Sequence, residues 1–254
     1  MTVPRTLLAA LLSAVVALLC AGSARAGVVF NGSFYGQALA PPWSSLQAPP
    51  GRASVVPAPG GINRRAYRAE LQGGDPLVSE GQRNELLWGS DPHPTLTEGT
   101  DYYFGWMTYF PRGFPSPGTP SSTSPYGHCT FVQWKNTGRG GAPVDMSCRL
   151  NRIQIGYDPK CGGWSIPLIR GGWNKFVAHL VFSTSATTGL LELWHQSPNQ
   201  SALTKKLTCN LPTLDPNGTS YLKLGYYRKN DEQKTGVIFD VGMRVGTSFG
   251  SVAP

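Results

Sequence analysis

The stretch Tyr221-Leu222-Lys223-Leu224-Gly225-Tyr226-Tyr227-Arg228 decides how this chain is read. With a period of two, Tyr221, Lys223, Gly225 and Tyr227 share one face, and Leu222, Leu224 and Tyr226 share the other. The second face is core material. The first combines phenol, ammonium and bare backbone, which makes a poor core and a good floor for a polar ligand. Two further strand-like stretches carry a polar pattern of the same kind, Arg83-Asn84-Glu85 and Gln133-Trp134-Lys135. The pattern predicts that these three strands lie side by side and present their polar residues together.

Working outward, glycine (31) and proline (22) are scattered along all 254 residues, and no long stretch has apolar residues at helical spacing. Short β-branched and aromatic runs alternate with Gly, Pro, Asn and Asp, the pattern of a sandwich or barrel. Strands are expected over Ala66–Gln72, Arg83–Trp88, Tyr102–Phe110, Thr130–Lys135, Val144–Arg149, Trp173–Phe182, Gly189–His195, Tyr221–Arg228 and Gly236–Val245. Ala38–Gly61 reads as an extended loop carrying Trp43, and Pro111–Gly127 as a long loop, functional or disordered.

The first 26 residues read as a secretory leader: Arg5, then an apolar run from Leu7 to Leu19, then Ala24-Arg25-Ala26 as a cleavage site. The run is short for a membrane span. The remainder, residues 27–254, suits one large all-β domain. Twenty-two Lys and Arg against 14 Asp and Glu give +8, and losing Arg5 and Arg25 with the leader leaves +6. A basic secreted chain favours anionic partners: acidic polysaccharide, nucleic acid or a cell surface. Nucleic acid ranks lower, because no nucleic-acid-binding motif is present.

Four cysteines remain in the mature chain: Cys129, Cys148, Cys161 and Cys209. An even count in a secreted chain points to two disulfides, with three pairings open. If Cys129–Gln133 and Val144–Cys148 form a hairpin, Cys129 falls opposite Cys148. That register favours Cys129–Cys148 together with Cys161–Cys209. No Cys-x-x-Cys spacing is present, which argues against a metal site.

The motifs Arg83-Asn84-Glu85, Gln133-Trp134-Lys135 and Tyr221-x-Lys223-x-Gly225-x-Tyr227 resemble, in order and spacing, three motifs of the jelly-roll polysaccharide lyases. These are the alginate lyases, the glucuronan lyases and the heparin lyase I group. Gly74-Asp75, Tyr102–Pro111, Gly172-Trp173 and Gly189–Trp194 extend the likeness from about Ala66 to Gly246. The resemblance implies an all-β jelly-roll sandwich with a concave substrate-binding sheet. It implies a monomeric secreted enzyme that cuts a uronic-acid polysaccharide by β-elimination, with neither nucleic acid nor membrane as partner and no cofactor. A structural calcium is compatible with such sandwiches, although no ligand set stands out.

By the same resemblance, Arg83 and Gln133 stabilise the charge that moves onto the substrate carboxylate, and Glu85 holds the guanidinium. Tyr227 transfers the proton, with Lys223 nearby to favour the phenolate. Gly225 lets a sugar ring approach the backbone, while Tyr221 and Arg228 line the substrate. Arg64, Arg65, Arg68 and Lys229 are candidates to extend the groove. Many relatives carry His where this chain has Lys135. The lysine is read as a replacement cation or base, as the sign of a non-catalytic protein that binds acidic glycans, or as a bystander to Tyr227 working alone as base and acid on the same sugar face. Parity along a regular strand turns His128 away from Gln133, and it places His179 on the face of Val177 and Val181.

Overall fold

The computed structural model describes residues 27–36, 39, 43, 45–78, 81–90, 95–115, 129–137, 140–156, 163–216, 218–229 and 234–254. The leader, most of the loop after Phe114, and His93, His128 and Cys161 therefore lie outside the described residues.

The described chain folds into strands β1 (Val28–Asn31), β2 (Ser45–Gln47), β3 (Ala53–Pro57), β4 (Arg65–Leu71), β5 (Leu77–Val78), β6 (Gly81–Trp88), β7 (Leu96–Thr97), β8 (Asp101–Tyr109) and β9 (Cys129–Asn136). They continue as β10 (Val144–Arg149), β11 (Arg152–Gly156), β12 (Ser165–Pro167), β13 (Trp173–Val181), β14 (Leu190–Gln196), β15 (Thr204–Asn210), β16 (Thr219–Lys229) and β17 (Gly236–Gly246). One short helix, α1 (Phe249–Val252), is capped by Ser248.

Two antiparallel sheets result, a jelly-roll β-sandwich. The first runs β15-β14-β13-β8-β17-β4-β3, with β1 also on β17; the second runs β12-β11-β10-β9-β16-β6-β2, with β5 on β6 and β7 on β16. The three motif strands are adjacent, β9-β16-β6, in the second sheet. Alternation explains the layering. Leu222, Leu224 and Tyr226 of β16, Val132 and Trp134 of β9, and Leu86 of β6 face inward and are buried. They meet Phe104, Trp106 and Phe176 of the first sheet, with Trp106 and Trp134 edge to face at 6.2 Å.

Sequence and structure part at several points. The segment read as an extended loop, Ala38–Gly61, contains β2 and β3. Strands β12 and β15 were not expected from the pattern. Both are edge strands, short or polar, and β15 is mostly solvent-facing.

The Cys129–Cys148 disulfide forms as the register requires, with Cα atoms 5.0 Å apart. Cys209 is disulfide-bonded as well, and its expected partner Cys161 lies outside the described residues. The rest of the hairpin is one residue out of the expected register, because Val144 pairs with Trp134 and Phe131 is extra on β9. This bulge resets the alternation, so Cys129, Phe131, Val132 and Trp134 are all in the core.

Candidate active site

The outer face of β9-β16-β6 is built around Glu85, whose side chain is 3 % exposed. It accepts from Arg83 Nη1 at 3.1 Å, from Lys223 Nζ at 3.2 Å and, at very short range, from Gln133 Nε2. The pairing explains the convergence. Glu85 lies opposite Gly225 on β16, Arg83 opposite Tyr227, and Lys223 opposite Gln133 on β9. Lys223 Nζ also donates to Gln47 Oε1 of β2 at 2.8 Å, across β6. Gln47 was missed in the sequence because a three-residue edge strand inside a Pro-rich stretch has no period to read. It pairs directly with Glu85.

The face is ordered along β16. At one end the Arg83 guanidinium lies over the Tyr227 ring, 4.1 Å from its centroid. Arg83 Nε donates to Val78 O at 3.0 Å and Nη1 to Glu85, leaving Nη2 without a hydrogen bond among the described residues. Gly81, two residues before Arg83, makes room for the phenol: a Cβ there would stand 2.3 Å from Tyr227 Cε2. The cation beside Tyr227 is thus Arg83. Lys223, expected as that cation, adjoins it instead: its Nζ and Arg83 Nη1 share the same Glu85 oxygen.

Glu85, Lys223 and Gln133 occupy the middle of the face. Burial pushes the Lys223 ammonium down; Glu85 opposes that shift, and Arg83 and Lys135 add to it. At the far end Tyr221 pairs with Lys135. Burial raises the Tyr221 phenol, with Glu85 adding to the rise. Burial lowers Lys135, Asp215 opposes and Arg83 adds, while Nζ donates to Asn136 O at 3.3 Å.

Gly225 sits on the bulge where β16 shifts register against β9, at φ +143°. A Cβ there would stand 2.2 Å from Asn84 O. Close packing of β16 on β6 thus requires glycine here, whatever lies above it.

Other sequence candidates are not brought to this face. Arg228 is on the inner face and 2 % exposed, where Nε donates to Gln82 Oε1 at 2.7 Å. It is one residue out of phase with Tyr227, so alternation sends it inward, where it ties β16 to β6. Arg65 and Arg68 lie on β4 in the other sheet, and Arg64 immediately precedes it. Arg68 pairs with Glu70. The side chain of Lys229 lies outside the description. Asn84, the middle residue of its motif, points inward and donates to Arg52 O (2.8 Å) and Glu70 O (3.0 Å), stapling β6 to the other sheet.

The described histidines stay apart from the face. His179 lies on the other sheet, between Glu192 and Asp101, each at 2.7 Å. His195 is buried against Asn174, and desolvation lowers it to about 4.

Similarity to known proteins agrees with this geometry. The polysaccharide lyase family model matches residues 39–241. The fold is shared with an endo-β-1,4-glucuronan lyase from the fungus Trichoderma reesei: TM-score 0.65, 15 % identity, 90 % of this chain and 99 % of that one covered. It is shared with an alginate lyase from Aplysia kurodai (TM-score 0.59, 9 % identity, 86 % and 98 % covered). It is also shared with the catalytic domain of a glycoside hydrolase family 131 protein from Coprinopsis cinerea (TM-score 0.55, 12 % identity, 80 % of each chain). No curated protein sequence is significantly similar. At these identities the likeness is one of fold, and the hydrolase among the neighbours shows that the fold alone does not choose the chemistry. The family model does choose: matched over residues 39–241, the chain belongs to the polysaccharide lyase family.

Proposed function

We propose that the protein is secreted and cleaves a uronic-acid-containing polysaccharide by β-elimination, with Tyr227 transferring the proton. The observation that carries this reading is the stacking of Arg83 on Tyr227 while Glu85 holds Arg83 from the other side. A guanidinium fixed over the ring stabilises a phenolate and keeps Nη2 available for an anion.

In the step, the C5–H bond breaks and its proton passes to the Tyr227 oxygen. The electron pair forms the C4–C5 double bond, and the C4–O bond to the departing sugar breaks. Tyr227 then returns the proton to that oxygen, and the products are an unsaturated uronate and a free hydroxyl. Charge builds on the C5 carboxylate during proton removal, and donors aimed at it lower the barrier. Arg83 is stacked on Tyr227, and Gln133 and Lys223, level with each other, join it through Glu85. Lys135, opposite Tyr221, lies toward the other end of the face from Tyr227, yet close enough for its charge and those of Arg83 and Lys223 to act on one another. It serves as a cation for a substrate carboxylate, with Tyr221 beside it.

The glucuronan lyase neighbour makes glucuronan the first polymer to test, followed by alginate and heparin-like chains. The test is an ultraviolet assay of the mature protein on glucuronan, alginate, heparin, heparan sulfate and chondroitin from neutral to alkaline pH. Rising absorbance from the unsaturated product on one of them is expected. Binding without absorbance on every polymer would establish the non-catalytic glycan-binding reading instead.

A further inference from the structure

Strand β17 shares one edge between two partners. β4 pairs with it over Gly236–Asp240 and β1 over Arg244–Gly246, with Gly32 N donating to Met243 O at 2.8 Å. Val241 and Gly242 are left in the gap. Gly242 has φ +71°, and the register against β8 shifts here. The result is a cavity of about 480 Å³ on the sheet that does not carry the three motifs.

Three guanidiniums line this cavity, from Arg64, Arg65 and Arg244, and among the described residues no carboxylate does. Among the described residues none of the three is in an ion pair. Arg65 Nη2 donates to Val55 O at 2.8 Å, while its Nε is buried without a hydrogen-bond partner. Arg64 Nη1 reaches over the bulge, 3.5 Å from where a Gly242 Cβ would stand. Tyr35 lines the same cavity and is 79 % exposed, and its hydroxyl accepts from Asn31 Nδ2 at 3.0 Å.

Three like charges gathered in a concavity without a counter-charge concentrate anions there. Guanidinium forks match carboxylate and sulfate alike, and an exposed ring beside them offers a platform for a sugar face. We propose that this cavity is a second saccharide site, which binds an anionic sugar unit of the polymer remote from the catalytic face and tethers the chain during cleavage. The proposal rests on the reading above that the substrate is an acidic polysaccharide.

The test uses the full mature chain carrying Tyr227→Phe, so that polymer is not consumed, with and without Arg64→Ala/Arg244→Ala. Binding to glucuronan and to heparin is measured by calorimetry, and thermal unfolding checks the fold. The double substitution is expected to weaken polymer binding about three- to tenfold, the scale of two part-exposed charge contacts. A larger effect on heparin assigns the anion as sulfate, and an effect on glucuronan assigns it as carboxylate. Tyr35→Ala, which changes no charge, weakens binding too. With Tyr227 restored, the double variant raises KM for polymer and leaves turnover of a tetrasaccharide unchanged. Unchanged affinity for both polymers would overturn the site, and so would a loss that Tyr35→Ala does not share, which marks a diffuse positive field. Failure of the lyase reading is seen separately, as the absence of unsaturated product from the unsubstituted protein.

Discussion

Replacing Glu85 by glutamine isolates the organising contact of the catalytic face. The substitution keeps the shape of the side chain but removes the negative charge that three donors share. Its amide nitrogen would face either Gln133 or the pair Arg83 and Lys223, all of them donors, and its remaining oxygen carries no charge. Lys223 has the most to lose, since its side chain is 5 % exposed and Glu85 is its ion-pair partner at 3.2 Å. Leaving such a charge buried and unpaired costs about 3–5 kcal/mol. For a domain of this size that lowers Tm by about 6–20 °C. The magnitude comes from the orphaned cation, so Glu85→Gln/Lys223→Met should recover most of the loss. Activity should not recover with it: Arg83 loses its anchor, and a displaced donor costs about 10²-fold in turnover. Urea denaturation at pH 7 and the ultraviolet assay on the same preparations read the two effects. A Glu85→Gln protein within about 0.5 kcal/mol of the parent would refute the reasoning, because that is the range of an ordinary surface change. So would a double variant no more stable than the single one.

Other outcomes follow from the same contacts. Gly225→Ala must place a methyl 2.2 Å from Asn84 O at φ +143°, and should cost about 2–4 kcal/mol in denaturant titration with loss of activity. The neutral form of His195 is favoured in the fold, where its pKa is lowered to about 4. The unfolded chain binds a proton that the native state refuses, so stability falls as pH drops from about 6.5 toward 4. His195→Gln should flatten that part of the stability–pH curve; an unchanged slope would place the pH dependence elsewhere.

Much of the site was legible because a strand's period is two. Arg83 with Glu85, Gln133 with Lys135, and the tyrosines with Lys223 each declare a face, and their strands are neighbours in the second sheet. The disulfide was legible for a similar reason, since two cysteines opposite each other in a hairpin fix its register. Bulges set the limit of such reasoning. The extra Phe131 on β9 shifts the rest of the hairpin by one. Long-range partners were out of reach as well. Gln47, 176 residues from Lys223, and Gly81 under Tyr227 matter only through strand pairing that local pattern does not encode. Arg64 and Arg65 read as further groove cations because charge carries no address; the topology puts them on the other sheet.

The measurement that bears most directly on the central claim follows unsaturated product and new reducing ends together. It uses one polymer that the protein cleaves, with the parent chain and Tyr227→Phe side by side and polymer binding measured in parallel. The account predicts that the two products rise one for one in the parent. It predicts that Tyr227→Phe loses about 10²–10⁴-fold in rate, the usual contribution of a proton-transfer group, while binding is retained. Reducing ends without unsaturated product would show hydrolysis, and a Tyr227→Phe protein at full rate would show that the proton moves through another group. Either result would contradict the account.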